Sequence, residues 1–209
     1  MDKYLTINNS SFSEIVEKKS RFIAYIKNVK SEKEANEFIN EIKSKNHDAR
    51  HNVFAYTLKD GTKRYSDDGE PQGTAGVPIL DLLQSKNLLD VCIVVTRYFG
   101  GILLGTGGLV RAYTQAAKDV IAKSVIDEMV LCTVFEIHCS YNQYNKLPSI
   151  ILKYNGIIDK ALFNDDVIVI CNVPSLYNEK FLKELTNFYS GNIKIQETDK
   201  NYKKIKGNS

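Results

Sequence analysis

Hydrophobic and polar positions divide this chain into short blocks of distinct period. FSEIVEKKSRFIAYIKNV alternates on both sides of a polar centre, EKKS, which predicts two strands joined by a turn. Ser31 then opens a helix, with Glu34 three residues on as a capping box. Ala35, Phe38, Ile39 and Ile42 follow at helical spacing and should face a core. His51 to Leu58 predicts a strand, Asp60-Gly61 a turn, and Lys63 to Tyr65 a hairpin partner. A helix is expected from about Thr74 to Ser85. VCIVVT, from Val91 to Thr96, is short, β-branched and continuously apolar, as a strand buried on both faces should be. After a glycine-rich stretch, Leu109, Ala112, Tyr113, Ala116, Ala117, Val120 and Ile121 recur at i, i+3, i+4 spacing and predict a long helix.

From about Ile126 the pattern changes. Met129 to Cys139 predicts a strand and Asn142 to Tyr154 a helix. Two further strands, Gly156 to Leu162 and Asp166 to Val173, flank the turn FNDD. A helix opening at Pro174-Ser175 and a last strand from Asn192 to Thr198 complete a βαββαβ order, that of a ferredoxin-like domain. DKNYKKIKGNS has no periodicity and is expected to be a loose tail. The fold class is therefore α+β with two domains, residues 1–124 and 125–198, followed by a basic flexible tail at 199–209.

Composition narrows the function. The 209 residues are 43% hydrophobic and 25% charged, close to globular averages, so wholesale disorder and fibrous classes are excluded. The net charge is +3, too small by itself to signal a nucleic-acid binder. Its distribution says more. Residues 1–124 carry 18 basic and 15 acidic side chains, residues 125–198 carry 6 and 9, and residues 199–209 carry 4 and 1. An anionic partner should prefer the first domain or the tail and avoid the second. Cys92, Cys132, Cys139 and Cys171 form no CxxC pair and no zinc spacing with a histidine, which predicts buried, reduced thiols. MDKYLTINNSSF has no apolar core of a secretory signal, and no apolar run approaches the roughly 20 residues that span a bilayer. The expectation is a cytoplasmic protein with no membrane contact.

Candidate chemistry is concentrated in two glycine-rich segments, since nine of the twelve glycines lie between residues 61 and 108. In RYFGGILLGTGGLVRAY, glycines sit between a buried strand and a helix, where backbone N–H groups and the helix N-terminus favour an anion. Arg97, Gly100, Gly101, Gly105, Gly107, Gly108 and Arg111 form the candidate phosphate-binding face, and the two arginines could supply bidentate contacts. The competing reading is close backbone packing at the crossing from strand to helix. The segment is neither a Walker loop nor a dinucleotide fingerprint. The loop Ser66-Asp67-Asp68-Gly69-Glu70 offers oxygen ligands to a divalent metal, or an ordinary exposed turn. His51 could act as a general base if an acidic loop residue orients it. His51, Asp67, Asp68, Glu70 and Gln72 are the polar residues that could converge on the glycine-rich face. No nucleophile elbow and no HExxH motif is present.

RHNVFAYTLKDGTKRYSDDGEPQGTAGVPIL together with VVTRYFGGILLGTGGLVRAYTQAA strongly resembles the YigZ/IMPACT family, over roughly residues 12 to 124. The carboxyl-terminal part is similar to that of bacterial YigZ members. The resemblance implies a first domain with the fold of the second domain of a small-subunit ribosomal protein, which also occurs in elongation factor G (its domain IV) and in the GHMP small-molecule kinases. It implies a second domain like the ferredoxin-like carboxyl-terminal domain of elongation factor G. Eukaryotic IMPACT proteins regulate translation through an added RWD domain, for which this chain has no counterpart, so their regulatory partner is not expected here. Two functions follow as expectations. One is a non-enzymatic protein associated with RNA or the ribosome. The alternative is an enzyme acting on a phosphate- or nucleotide-containing small molecule, with a metal held by Asp67, Asp68 or Glu70. The residues name no cofactor and no oligomeric state.

Overall fold

The computed structural model describes residues 1–204. It is a mixed α+β protein of two compact units, one spanning Leu5–Asp127 and the other combining Met1–Tyr4 with the chain from Glu128 onward. The first four residues thus belong with the carboxyl-terminal unit, whereas the sequence reading assigns them to a first domain of 1–124. Among the described residues, no helix is long and apolar enough to cross a membrane.

The first strand, β1 (Lys3–Ile7), has no counterpart in the sequence reading. The unit from Leu5 to Asp127 is built on an antiparallel sheet ordered β2-β3-β6-β4-β5, comprising β2 (Ser11–Glu17), β3 (Ser20–Asn28), β4 (His51–Thr57), β5 (Lys63–Ser66) and β6 (Val91–Tyr98). Helix α1 (Glu32–Lys45) covers one face. Helices α2 (Gly76–Ser85) and α3 (Thr106–Ala122) cover the other. This double cover explains the unbroken apolar run in β6. Val91, Ile93 and Val95 pack toward α2 and α3, while Cys92 and Val94 pack toward α1.

Helix α1 starts at Ser31, whose hydroxyl accepts the Glu34 N–H at 3.2 Å. Glu34 reaches back one residue further than expected, accepting the Lys30 N–H at 2.8 Å. Ser31→Ala should cost about 1 kcal/mol of stability, because one helix-end N–H loses its acceptor. Urea unfolding checks this: an unchanged midpoint would mean that water replaces the cap.

The other unit contains β7 (Ile126–Cys139), α4 (Tyr141–Tyr144), α5 (Leu147–Lys153), β8 (Ile157–Phe163), β9 (Val167–Pro174), α6 (Asn178–Phe188) and β10 (Lys194–Lys204). Strands run β1-β7-β9-β8, with β10 also paired to β7. The helix expected over 142–154 is two pieces, because Pro148 lacks the N–H that a continuous helix would need and instead opens α5. The helix expected at Pro174-Ser175 is preceded by a 3-10 turn, Ser175–Tyr177. The tail expected from residue 199 is corrected as far as Lys204. Those residues continue β10, with Lys200 to Lys204 paired to Thr133 to Met129. The last five residues of that expected tail lie outside the described residues. All four cysteines are buried and unbridged. Burial pushes the Cys171 thiol up to about 12 and the Cys132 thiol up to about 11, so both are protonated at neutral pH.

Candidate functional site

The local fold first determines what the acidic loop can do. Asp67 accepts the backbone N–H of Gly73 at 2.8 Å, of Ala75 at 3.1 Å and of Gly76 at 2.8 Å. Its carboxylate therefore satisfies the orphan donors at the start of α2. Asp68 accepts the Asn52 N–H at 2.7 Å and Lys43 Nζ at 3.1 Å. These lone pairs hold the loop to β4, α1 and α2. Among the described residues, no group of three or more His, Cys, Asp or Glu side chains is arranged to hold a metal.

Glu70 is different. Its side chain is only 3% exposed, and its Oε1 accepts Arg97 Nη1 at 2.7 Å and the Tyr113 hydroxyl at 2.8 Å. Arg97 is equally buried, with its guanidinium carbon 5.4 Å from the Phe22 ring centroid and 5.6 Å from that of Phe99. Burial first, then the Glu70 charge, drives the Tyr113 hydroxyl far above its ordinary value, so it remains a donor. His51 stands beside this group, its Nε2 3.9 Å from Glu70 Oε1. Its Nδ1 lies 2.8 Å from the Asp68 carbonyl oxygen, which can only accept, so Nδ1 carries the proton. The imidazole is thereby fixed in one tautomer, with Nε2 facing Glu70.

His51, Glu70 and Arg97 line a cleft of about 420 Å³, together with Arg50, Phe99, Leu103, Gly105 and Thr106. Gly105 sits at φ +74° and precedes α3. Because Leu109 N–H is bonded to Gly105 carbonyl, the N–H groups of Thr106, Gly107 and Gly108 have no acceptor within the helix. A Cβ at position 107 would approach nothing closer than Arg111 Nη1, at 3.7 Å, so glycine there keeps the first turn open. Phe99 and Leu103 are 42% and 82% exposed, which makes the rim apolar where it meets solvent.

The sequence-derived residues do not all meet. His51, Glu70, Arg97 and Gly105 line this cleft. Gly108 and Arg111 line a neighbouring groove of about 420 Å³, and Leu104 borders both. Gly107 lies on the first turn of α3. Gln72 is exposed on the loop before α2. Gly100 has a packing role: a Cβ there would lie 2.0 Å from the Lys19 carbonyl carbon. Gly101 sits at φ +83° in open space. Tyr113 and Ser20 were missed. Periodicity marked Tyr113 only as core, and Ser20 stood within a turn. Its hydroxyl accepts Gly100 N–H at 3.1 Å and Arg97 Nη2 at 3.5 Å.

Comparison with known proteins follows the same division of the chain. Residues 18–121 match the Impact N-terminal domain, and residues 137–192 match a domain of unknown function, DUF1949. The IMPACT family member YvyE of Bacillus subtilis is 34% identical over 97% of this chain and 94% of its own length. The IMPACT family member YigZ of Escherichia coli is 31% identical over 85% of this chain and 89% of its own. A solved structure described as that of an hypothetical protein superposes with a TM-score of 0.63 at 28% identity, covering 95% of this chain and 98% of the other. Likeness at this identity over nearly the whole of both chains, on top of the two-segment match, places this protein in the YigZ/IMPACT family.

Proposed function

We propose that the Leu5–Asp127 unit binds RNA through its phosphate backbone, and that the protein acts on translation as an RNA- or ribosome-associated, non-enzymatic factor. One observation carries this reading: the N–H groups of Thr106, Gly107 and Gly108, which have no acceptor within α3, adjoin a cleft that also holds Arg50, unpaired among the described residues. Such an end attracts an anion through its donors and its partial positive charge. Arg50 makes no ion pair among the described residues, and the exposed ring of Phe99 offers a face on which a base can stack.

The carboxylates weigh against the metal-dependent small-molecule enzyme. Asp67 and Asp68 are engaged by backbone N–H groups and Lys43, and Glu70 is neutralised by Arg97. The finer fold reading belongs to the same proposal. The order β10-β7-β9-β8 with βαββαβ connectivity supports a ferredoxin-like second domain, like the carboxyl-terminal domain of elongation factor G. The helix-covered antiparallel sheet of the first unit is compatible with the ribosomal-protein-type domain.

Fluorescence anisotropy with single-stranded RNA over a range of salt tests the reading. Each phosphate contact contributes a slope of about −0.7 in log K against log salt, so Arg50→Gln should weaken binding and flatten the slope by about 0.7. Absence of binding at low salt, or binding indifferent to salt, would overturn it. Stabilisation by a free nucleotide with Mg²⁺, about 2.7 kcal/mol at 100 times its dissociation constant, would favour the enzyme instead.

A further inference from the structure

The groove beside the cleft has a composition of its own. It runs between the β2–β3 turn and the outer side of α3, and its charged lining is Lys18, Arg111, Lys118 and Glu17. None of the three cations makes an ion pair among the described residues, whereas Arg21, Lys43 and Arg64 of the same unit are each paired with a carboxylate. Asp119, next to Lys118 in sequence, is held by Gln115 Nε2 at 2.7 Å. The groove therefore keeps an excess of positive charge.

Its position is fixed by unusual backbone. Lys18 and Lys19 occupy both central positions of the β2–β3 turn at φ +45° and +65°. A two-residue hairpin turn of this kind favours Asn-Gly, so placing two lysines there carries a conformational cost. The turn is then clamped to the loop after β6, where Gly100 packs against the Lys19 main chain and donates its N–H to Ser20. Leu104 forms a wall of both the groove and the cleft, and Arg111 reaches back to within 3.7 Å of where a Cβ on Gly107 would lie. Cleft and groove meet at Leu104 beside the first turn of α3, and together they mark out a path with cationic groups on either side of the helix end.

We propose that a single RNA strand follows this path: one phosphate sits at the start of α3 in the cleft, and the strand continues into the groove, where Lys18, Arg111 and Lys118 hold the next phosphates. The proposal rests on the reading of the cleft as a phosphate site and adds the direction, the class of ligand and the second set of contacts. A strand fits better than a free nucleotide because Arg111 and Lys118 stand seven residues apart on α3, about 10 Å along its axis.

The test uses the full chain and a fluorescent oligouridylate of about ten nucleotides, within the usual span of a single-strand site. K18Q/R111Q/K118Q should flatten the salt slope by about 2, three contacts at about 0.7 each. Glu17→Gln should instead tighten binding about threefold, the gain expected in water from removing one like charge from the lining of the groove. A gain of this kind cannot come from a folding defect. Wild-type binding with a slope untouched by the triple variant would overturn the path and leave the cleft reading standing. No binding by the wild type would remove both. Equal competition by duplex RNA would overturn the single-strand assignment.

Discussion

Arg97→Met should lower the unfolding free energy by about 3–5 kcal/mol, because it leaves the Glu70 carboxylate buried without its counter-ion. Glu70 is 3% exposed in its side chain, and water cannot replace the guanidinium at Oε1. Tyr113 would still donate to that oxygen, but one neutral hydrogen bond does not offset a desolvated charge. Methionine keeps much of the packing between Phe22 and Phe99, so the measured loss reports mainly the charge. Adding Glu70→Leu to Arg97→Met should recover part of the loss, since it removes the unpaired charge but leaves the buried Tyr113 hydroxyl without its acceptor. Urea unfolding of the wild type, both single variants and the double variant gives the coupling directly. If the double variant is no more stable than Arg97→Met, the pair is not what stabilises this corner. Loss of RNA binding in a fully folded double variant would show that Arg97 also serves the ligand.

The sequence made those elements legible whose own residue pattern reports what surrounds them. β6 was readable because Val91 to Val95 pack against apolar side chains on both faces, and α1 because its stripe and its Ser31 cap are local signals. β10 was not, beyond Thr198. DKNYKK has no alternation because none of its residues is buried, and its strand conformation is maintained by backbone pairing to β7. Polar, lysine-rich sequence is ordinary for an outer strand. The same distinction governs the site. Arg97, His51 and the glycines stood out by type and position. Which of three nearby carboxylates is buried could not be read from Asp67-Asp68-Gly69-Glu70, since the answer depends on Arg97 and Tyr113, 27 and 43 residues further on. Asp67 carried no cap signal because it reaches Gly76 across nine residues, not the usual two or three.

Gly100→Ala should be the most damaging single-methyl change in the glycine-rich loops, costing about 3 kcal/mol or more. The added Cβ would lie 2.0 Å from the Lys19 carbonyl carbon, 2.1 Å from its oxygen and 2.4 Å from the Ser20 nitrogen. All three are main-chain atoms, so no rotamer change relieves the overlap and the β2–β3 turn itself must move. Moving it stretches the Gly100 N–H bond to the buried Ser20 hydroxyl and disturbs the hydroxyl that Arg97 Nη2 also reaches. The neighbouring Gly101→Ala is the internal comparison. Nothing lies within 4 Å of its Cβ, but its φ of +83° places an L-residue in left-handed backbone, at a cost of about 1–2 kcal/mol. Thermal unfolding should therefore rank the two variants with Gly100→Ala clearly the lower. The binding assay separates them further. Gly100→Ala displaces the turn that carries Lys18 and should flatten the salt slope by up to about 0.7, while Gly101→Ala should leave it alone. Equal stability of the two variants would mean that the turn is free to shift, and the close approach at Gly100 would then not be what sets the position of Lys18.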